Sequence, residues 1–299
     1  MLPADAARPF GSVLTAMVTP FDSDGALDLD SAQSLAAHLV DAGHDGLVVS
    51  GTTGESATTT DDEKLALLRA VLQAVGDRAR VVAGVGTNNT SHSVELARQA
   101  AGAGAAGLLV VTPYYSKPPS AGLVEHFRAV ADATELPVML YDIPGRCGIR
   151  IGTPTLLRVA EHDRIVAVKD ATGDLFAGSQ VMAATDLAYY SGDDALNLAW
   201  LALGAAGVVS VTGHVAGAQH ADLVAAVERG DLETARALHR RLLPLVRGLM
   251  TRTQGAIMAK AALQMQGILP HRTLRLPLVA ATGEEIDLLR TDLQEAELL

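Results

Sequence analysis

Eight short apolar runs, spread over the first 212 residues with helical patterns between them, constrain the fold more than any other feature. They are "SVLTAMVTPF" (12–21), "GLVVSGTT" (46–53), "RVVAGVG" (80–86), "GLLVVTPYY" (107–115), "PVMLYDIP" (137–144), "RIVAVKDA" (164–171), "LAYYSGDD" (187–194) and "GVVSVT" (207–212). Most are unbroken stretches of Val, Ile and Leu rather than alternations of apolar and polar residues. Strands read this way when both faces are covered, as in a parallel sheet flanked by helices. The intervening segments carry helix periodicity. In "TDDEKLALLRAVLQAVG" (60–76), Leu65, Leu68, Leu72 and Val75 are expected on one face. Thr60 is placed as N-cap, acidic residues fill the first turn, and Gly76 closes the end. "SHSVELARQAAGAG" (91–104) repeats the plan. Eight such units without a composition break predict an α/β protein, a (β/α)8 TIM barrel. A doubly wound open sheet is the other arrangement of these units. It is weakened by the lack of a complete Gly-rich dinucleotide fingerprint: "GVGTNN" (84–89) misses the third glycine, and no phosphate-loop lysine follows.

After Thr212 the strand pattern stops. Residues 219–298 read as helical throughout, interrupted at Gly230, Pro270, Pro277 and Gly283. That is too long for a closing barrel helix. The expected organisation is a barrel domain over 1–218 and an appended C-terminal helical bundle over 219–299.

Charge narrows the partners. With 34 acidic against 23 basic residues the net charge is −11, which argues against nucleic acid or an anionic membrane surface. No apolar run reaches membrane-spanning length; the richest, 100–111, is short and full of Gly and Ala. "MLPADAARPFG" has neither a basic start nor an apolar core, so no export signal is expected. Cys147 is the only cysteine, which excludes an intrachain disulfide and fits a cytoplasmic protein.

Barrel chemistry sits at the C-terminal ends of strands, and here those ends are polar: "SGTTGES", "TPYYSKP", "YDIPGR", "KDATG" and "SGDD". Any one of them can be a capping or turn device. The tyrosines are harder to set aside. The chain has five, and Tyr114, Tyr115 and Tyr141 fall at strand ends expected to surround Lys169. Lys169 closes the apolar run "IVAV". Desolvation disfavours its charged form, and a neutral amine is a nucleophile. The other reading is that Lys169 marks where the strand surfaces, its stem packed and its head in water. An amine adding to a ketone passes through a carbinolamine, loses water and later moves a carbon-bound proton. Tyr and Thr hydroxyls donate and accept at once, so a chain of them can carry those protons. Asp170, one residue on, alternates to the opposite face, toward the helix layer. Nine histidines are scattered, and the closest pair, His214 and His220, matches no common zinc spacing, so neither a metal nor a cofactor is expected. "GVVSVTGHVAG" (207–217) offers backbone donors to a phosphate but no lysine or arginine.

"GTTGES", "VTPYYSKP", "YDIPGR", "VKDATGD" and "SGDD", in this order, resemble the dihydrodipicolinate synthase / N-acetylneuraminate lyase family of Schiff-base aldolases over nearly the whole chain. The resemblance is closest to the synthase branch. It implies a lyase that condenses pyruvate with L-aspartate 4-semialdehyde in diaminopimelate and lysine biosynthesis. It also implies roles for individual residues. Lys169 forms the Schiff base, and Tyr141 is proton donor and acceptor. Thr52 and Tyr115 complete the relay, Tyr115 reaching into a neighbouring subunit. Thr53 contacts the pyruvate carboxylate, and Val209 offers a nearby carbonyl. A homotetramer, a dimer of dimers, is implied as well. Arg146 distinguishes the branch, because a guanidinium suits the carboxylate of the second substrate; relatives acting on sugar acids lack it, and such an aldolase is the alternative. The structural alternative for Arg146 is a surface salt bridge. The family's "RTG" is "RCG" here, so Cys147 replaces a threonine. Ser56, Ala57, Asn88 and Tyr114 match positions at which some synthases bind inhibitory lysine. Lys64 and His92 depart from that pattern, and weak or no lysine inhibition is expected. A catalytically dead barrel serving as a scaffold is the reading outside enzymes; the presence of Lys169, Tyr141, Thr52 and Tyr115 together argues against it.

Overall fold

The computed structural model describes residues 7–299. The start of the stretch read for an export signal, residues 1–6, lies outside the described residues. Eight parallel strands close on themselves: β1 (Val13–Ala16), β2 (Gly46–Val49), β3 (Arg80–Gly84), β4 (Gly107–Val111), β5 (Val138–Asp142), β6 (Ile165–Asp170), β7 (Ala188–Ser191) and β8 (Gly207–Ser210). Leu14 of β1 pairs with Gly46 of β2 on one side and Val209 of β8 on the other, so no edge is left. Closure rules out the open doubly wound sheet. Each predicted run contains its strand, but the polar C-terminal ends leave the ladder and become loops.

The helices are α1 (Leu29–Asp41), α2 (Asp61–Val75), α3 (Thr90–Ala103), α4 (Ser120–Ala131), α5 (Pro144–Cys147), α6 (Thr153–Val159), α7 (Leu175–Ala184), α8 (Asn197–Ala202), α9 (Gly213–Glu228), α10 (Leu232–Val246), α11 (Gly255–Met265) and α12 (Gly283–Glu295). Thr60 caps α2 in a full capping box with Glu63, and Gly76 closes it. The buried face of α2 is rotated from the expected one. Leu67, Leu68, Val71 and Val75 are buried, while Leu65 and Leu72 lie only half-buried at its margins.

Two hydrophobic layers follow from strand alternation. Inward side chains such as Leu14, Val48, Val82, Leu109, Met139, Ala167 and Val209 fill the barrel, and outward ones pack against the helices. Phe10 plugs the N-terminal end. A Cβ on Gly107 would meet its ring at 2.3 Å, so only glycine admits the plug there.

The C-terminal stretch is not helical throughout. α9 spans residue 218, so the chain continues from the barrel within one helix, and a π-helical turn at Arg247–Thr251 joins α10 toward α11. Residues 266–282 form a long loop that returns to the barrel mouth, where Pro277 and Leu278 line the cavity described below. Two prolines explain this: each removes an amide donor and restricts the residue before it. Gly283 begins α12 rather than interrupting a helix. No helix of the described residues is long and apolar enough to cross a membrane.

Candidate active site

Strand alternation turns Ala167 and Lys169 of β6 into the barrel and Val168 and Asp170 out of it. Lys169 is 4% exposed, with Tyr141 of β5 and Tyr190 of β7 as its cross-strand neighbours. Its Nζ lies 4.2 Å from the centroid of the Tyr141 ring. Lys169 therefore does not surface at the strand end. Burial pulls its ammonium down from the ordinary lysine range to about 8; Asp194 opposes this fall and Arg146 adds to it. Gly192 of "SGDD" makes the room. A Cβ there would meet Lys169 Cγ at 2.9 Å and Cε at 3.0 Å.

Tyr141 is held from behind. Thr112, just past β4, donates both its amide and its hydroxyl to the Tyr141 carbonyl at 3.0 Å. Burial raises the Tyr141 phenol above the usual tyrosine value, with Arg146 opposing, so it stays protonated and can both donate and accept.

A cavity of about 470 Å³ opens at the C-terminal mouth, with Thr52, Tyr141 and Arg146 on its walls. That size suits small substrates. A larger hollow at the N-terminal face, lined by Pro9, Pro137 and Leu187 among others, is at the end of a barrel where stability rather than chemistry resides. Thr52 sits in the turn after β2, and no side-chain hydrogen bond holds it among the described residues. Thr53 beside it is buried. Arg146 stands exposed on α5, and no ion pair engages it among the described residues, so the salt-bridge alternative finds no partner. Cys147 also lines the cavity. Its thiol is pushed up to about 11 by burial and stays protonated at neutral pH, a poor nucleophile.

Four of the predicted residues are not part of this cavity wall: Lys169 and Thr53, both buried, and Val209 and Tyr115. Val209 is buried in the barrel interior. Tyr115 is 89% exposed on a left-handed backbone (φ 74°) and does not line the cavity. Among the described residues, four of the five non-glycine positive φ values fall in the loops after β2 and β4: Ser50, Glu55, Tyr115 and Lys117. Such backbone persists where its surroundings over-determine it, commonly at functional sites.

Asp194 was missed as a functional candidate. Its buried carboxylate accepts from the Ser210 hydroxyl at 2.5 Å and from the Val211 and Thr212 amides at 2.8 and 2.9 Å. It thus ties the ends of β7 and β8 together, and its negative charge favours the ammonium form of Lys169. The acidic repeat in "SGDD" was its signal. Asp170 faces the helix layer as expected, its Oδ1 accepting from the Thr172 amide at 2.8 Å. His214 and His220 are occupied within the fold: His214 accepts the Val18 amide, and His220 bonds the Thr212 hydroxyl at 2.8 Å.

The six positions compared with a lysine-inhibition site all line this cavity. Lys64 donates to the Thr59 carbonyl at 2.5 Å and stands 3.7 Å from Asp61, whose other oxygen bonds His92 at 2.9 Å.

Against known proteins, residues 9–296 match the model of the dihydrodipicolinate synthetase family. The chain is 65% identical over 295 residues to a 4-hydroxy-tetrahydrodipicolinate synthase of Kineococcus radiotolerans, covering 99% of this chain and 96% of that one. It is 66% identical over 288 residues to one of Acidothermus cellulolyticus, covering 96% and 93%. A crystal structure of DHDPS from Cyanidioschyzon merolae with lysine bound superposes with a TM-score of 0.95 at 44% identity, over 98% of this chain and all of that one. With the barrel, the buried lysine and the match along almost its entire length in agreement, the chain belongs to the dihydrodipicolinate synthetase family.

Proposed function

We propose that this chain is a 4-hydroxy-tetrahydrodipicolinate synthase, condensing pyruvate with L-aspartate 4-semialdehyde on the diaminopimelate route to lysine. The observation that carries the reading is a buried amine with a lowered pKa packed on a tyrosine ring, beside a cavity that presents an arginine without an ion pair among the described residues. Neutral Lys169 attacks the pyruvate keto carbon. Loss of water gives the imine, and loss of a methyl proton gives the enamine. That carbon attacks the aldehyde, forming the new C–C bond. The substrate's amino group then adds to the imine carbon and expels Lys169, closing the ring and freeing the enzyme. Tyr141 moves the protons, relayed by Thr52 and by Tyr115 of a second copy. Thr53 contacts the pyruvate carboxylate, and Val209 offers its backbone carbonyl nearby. The exposure of Tyr115 supports a homo-oligomer, read as a tetramer of two dimers working in the cytoplasm. Turnover of the two substrates in the presence of a chelator tests the reaction, and its absence refutes the reading.

Arg146 is assigned to the carboxylate of the semialdehyde. Arg146→Ala is expected to lower kcat/KM for that substrate about 100-fold, two charge-assisted hydrogen bonds at about 1.5 kcal/mol each. Borohydride trapping of pyruvate on Lys169 should be unchanged. Unaltered kinetics would refute the choice of second substrate.

Feedback by lysine is expected to be weak or absent. A bound ammonium group would meet Lys64 and would find Asp61 already engaged by His92. Half-inhibition below about 1 mM lysine would contradict this.

A further inference from the structure

The loop bearing Thr52 and Thr53 is anchored from the far end of the chain. Glu55 sits two residues past Thr53 on a left-handed backbone, and its amide donates to the Thr52 carbonyl at 3.1 Å. Its carboxylate is buried. One oxygen accepts from Lys260 Nζ at 2.5 Å and the other from the Arg275 amide at 3.0 Å. Lys260, on α11, is 0% exposed, donates to the Thr273 carbonyl at 2.8 Å and stacks 4.2 Å over the Phe21 ring. Arg275 lies over the same ring and forks onto Glu63 at 2.6 and 2.8 Å. Glu55 thus lines the cavity with each carboxylate oxygen engaged by the C-terminal part of the chain.

A buried ion pair is a poor way to gain stability, since an apolar pair of equal volume does as well or better. What it supplies is a fixed position. Thr52 has no side-chain hydrogen bond of its own among the described residues, so its placement comes from the turn around it.

We infer that Glu55 and Lys260 are positioning residues for proton transfer: α11 and the loop after it, which carry no reacting group, hold the Thr52 hydroxyl in line with Tyr141. This rests on the reaction proposed above. It predicts that the pair governs the rate of the proton-moving steps and not the extent of imine formation, because Lys169 is held by β6 and Gly192 and not by this anchor.

The test uses the full-length double variant Glu55→Gln/Lys260→Met, which removes both charges together and leaves neither unpaired. Three readings are taken: melting temperature, the extent of borohydride trapping of pyruvate on Lys169, and the rate of exchange of pyruvate methyl protons with deuterated water. The expected result is a native melting temperature, full trapping, and proton exchange and kcat each slowed about 10- to 100-fold, as a displacement of about 1 Å would cause. Native exchange and kcat would overturn the inference, as would a loss of activity that only follows a loss of folded protein. Should the double variant fail to fold, Glu55→Asp keeps the charge and shortens the arm by one methylene. Its exchange rate is expected to fall about tenfold with trapping intact, and a native rate would overturn the inference equally. Failure of the unmodified protein to trap pyruvate would instead refute the reaction itself.

Discussion

Lys169→Met abolishes turnover and leaves the protein at least as stable as before. Lys64, the other lysine on the cavity wall among the described residues, is tied to the Thr59 carbonyl and stands 3.7 Å from Asp61, so the variant is expected at the uncatalysed background, a loss on the order of 10⁶-fold or more. Stability goes the other way. The fall of the Lys169 pKa to about 8 corresponds to roughly 3 kcal/mol of lost ammonium solvation in the folded state. Methionine has a similar volume and nothing to desolvate, so the melting temperature should hold or rise, as it does where an active site is built at the expense of stability. The same shift sets the pH dependence. A lysine at its ordinary value would be almost wholly charged at pH 7; one at about 8 is about a tenth neutral there and mostly neutral by pH 9. Initial rates of pyruvate trapping by borohydride should therefore climb through pH 8 and level off above it. A rate still rising steeply past pH 10 would mean that Lys169 is solvated, and an adduct on Lys169→Met would place the imine elsewhere.

The strands were legible because burial on both faces leaves unbroken Val, Ile and Leu runs, a pattern that needs no knowledge of neighbours. Their C-terminal ends were drawn too long for the same reason. "TPYY" and "SGTT" continue apolar runs, yet Ser50 and Tyr115 take left-handed backbone that no strand contains. The loop at 266–282 was read as helix although Pro270 and Pro277 stood in it. Its apolar Leu276 and Val279 are both largely exposed, so no buried apolar stripe holds a helix there. The fate of that loop depends on Arg275 meeting Glu63 across 212 residues and on Lys260 meeting Glu55 across 205. Pairings at such separations leave no local periodicity to read. At the site, Lys169, Tyr141 and Arg146 were visible as odd residue types at strand ends. Gly192 and Asp194 were not, because their value lies in the room one leaves and the charge the other supplies to a neighbouring strand.

Tyr141→Phe isolates the proton relay from everything else the tyrosine does. The ring stays against Lys169, and the carbonyl remains gripped by Thr112. Among the described residues no hydrogen bond holds the phenol, so its removal orphans no buried partner and the melting temperature should be unchanged. What is lost is the group that hands protons to the carbinolamine and takes them from the pyruvate methyl. Positioned acid–base catalysis of this kind is worth about 10²- to 10⁴-fold, and kcat should fall by that amount. Because burial raises the phenol above its usual value, the native enzyme should show no alkaline loss from tyrosine ionisation at pH 10, where an exposed phenol would be half ionised. Trapping of pyruvate should reach full extent in the variant, only slowly, while methyl-proton exchange nearly stops. If exchange kept its native rate, the proton would be moving through another group, with the Thr52 hydroxyl the first to examine, and Tyr141 would be left as packing for the lysine.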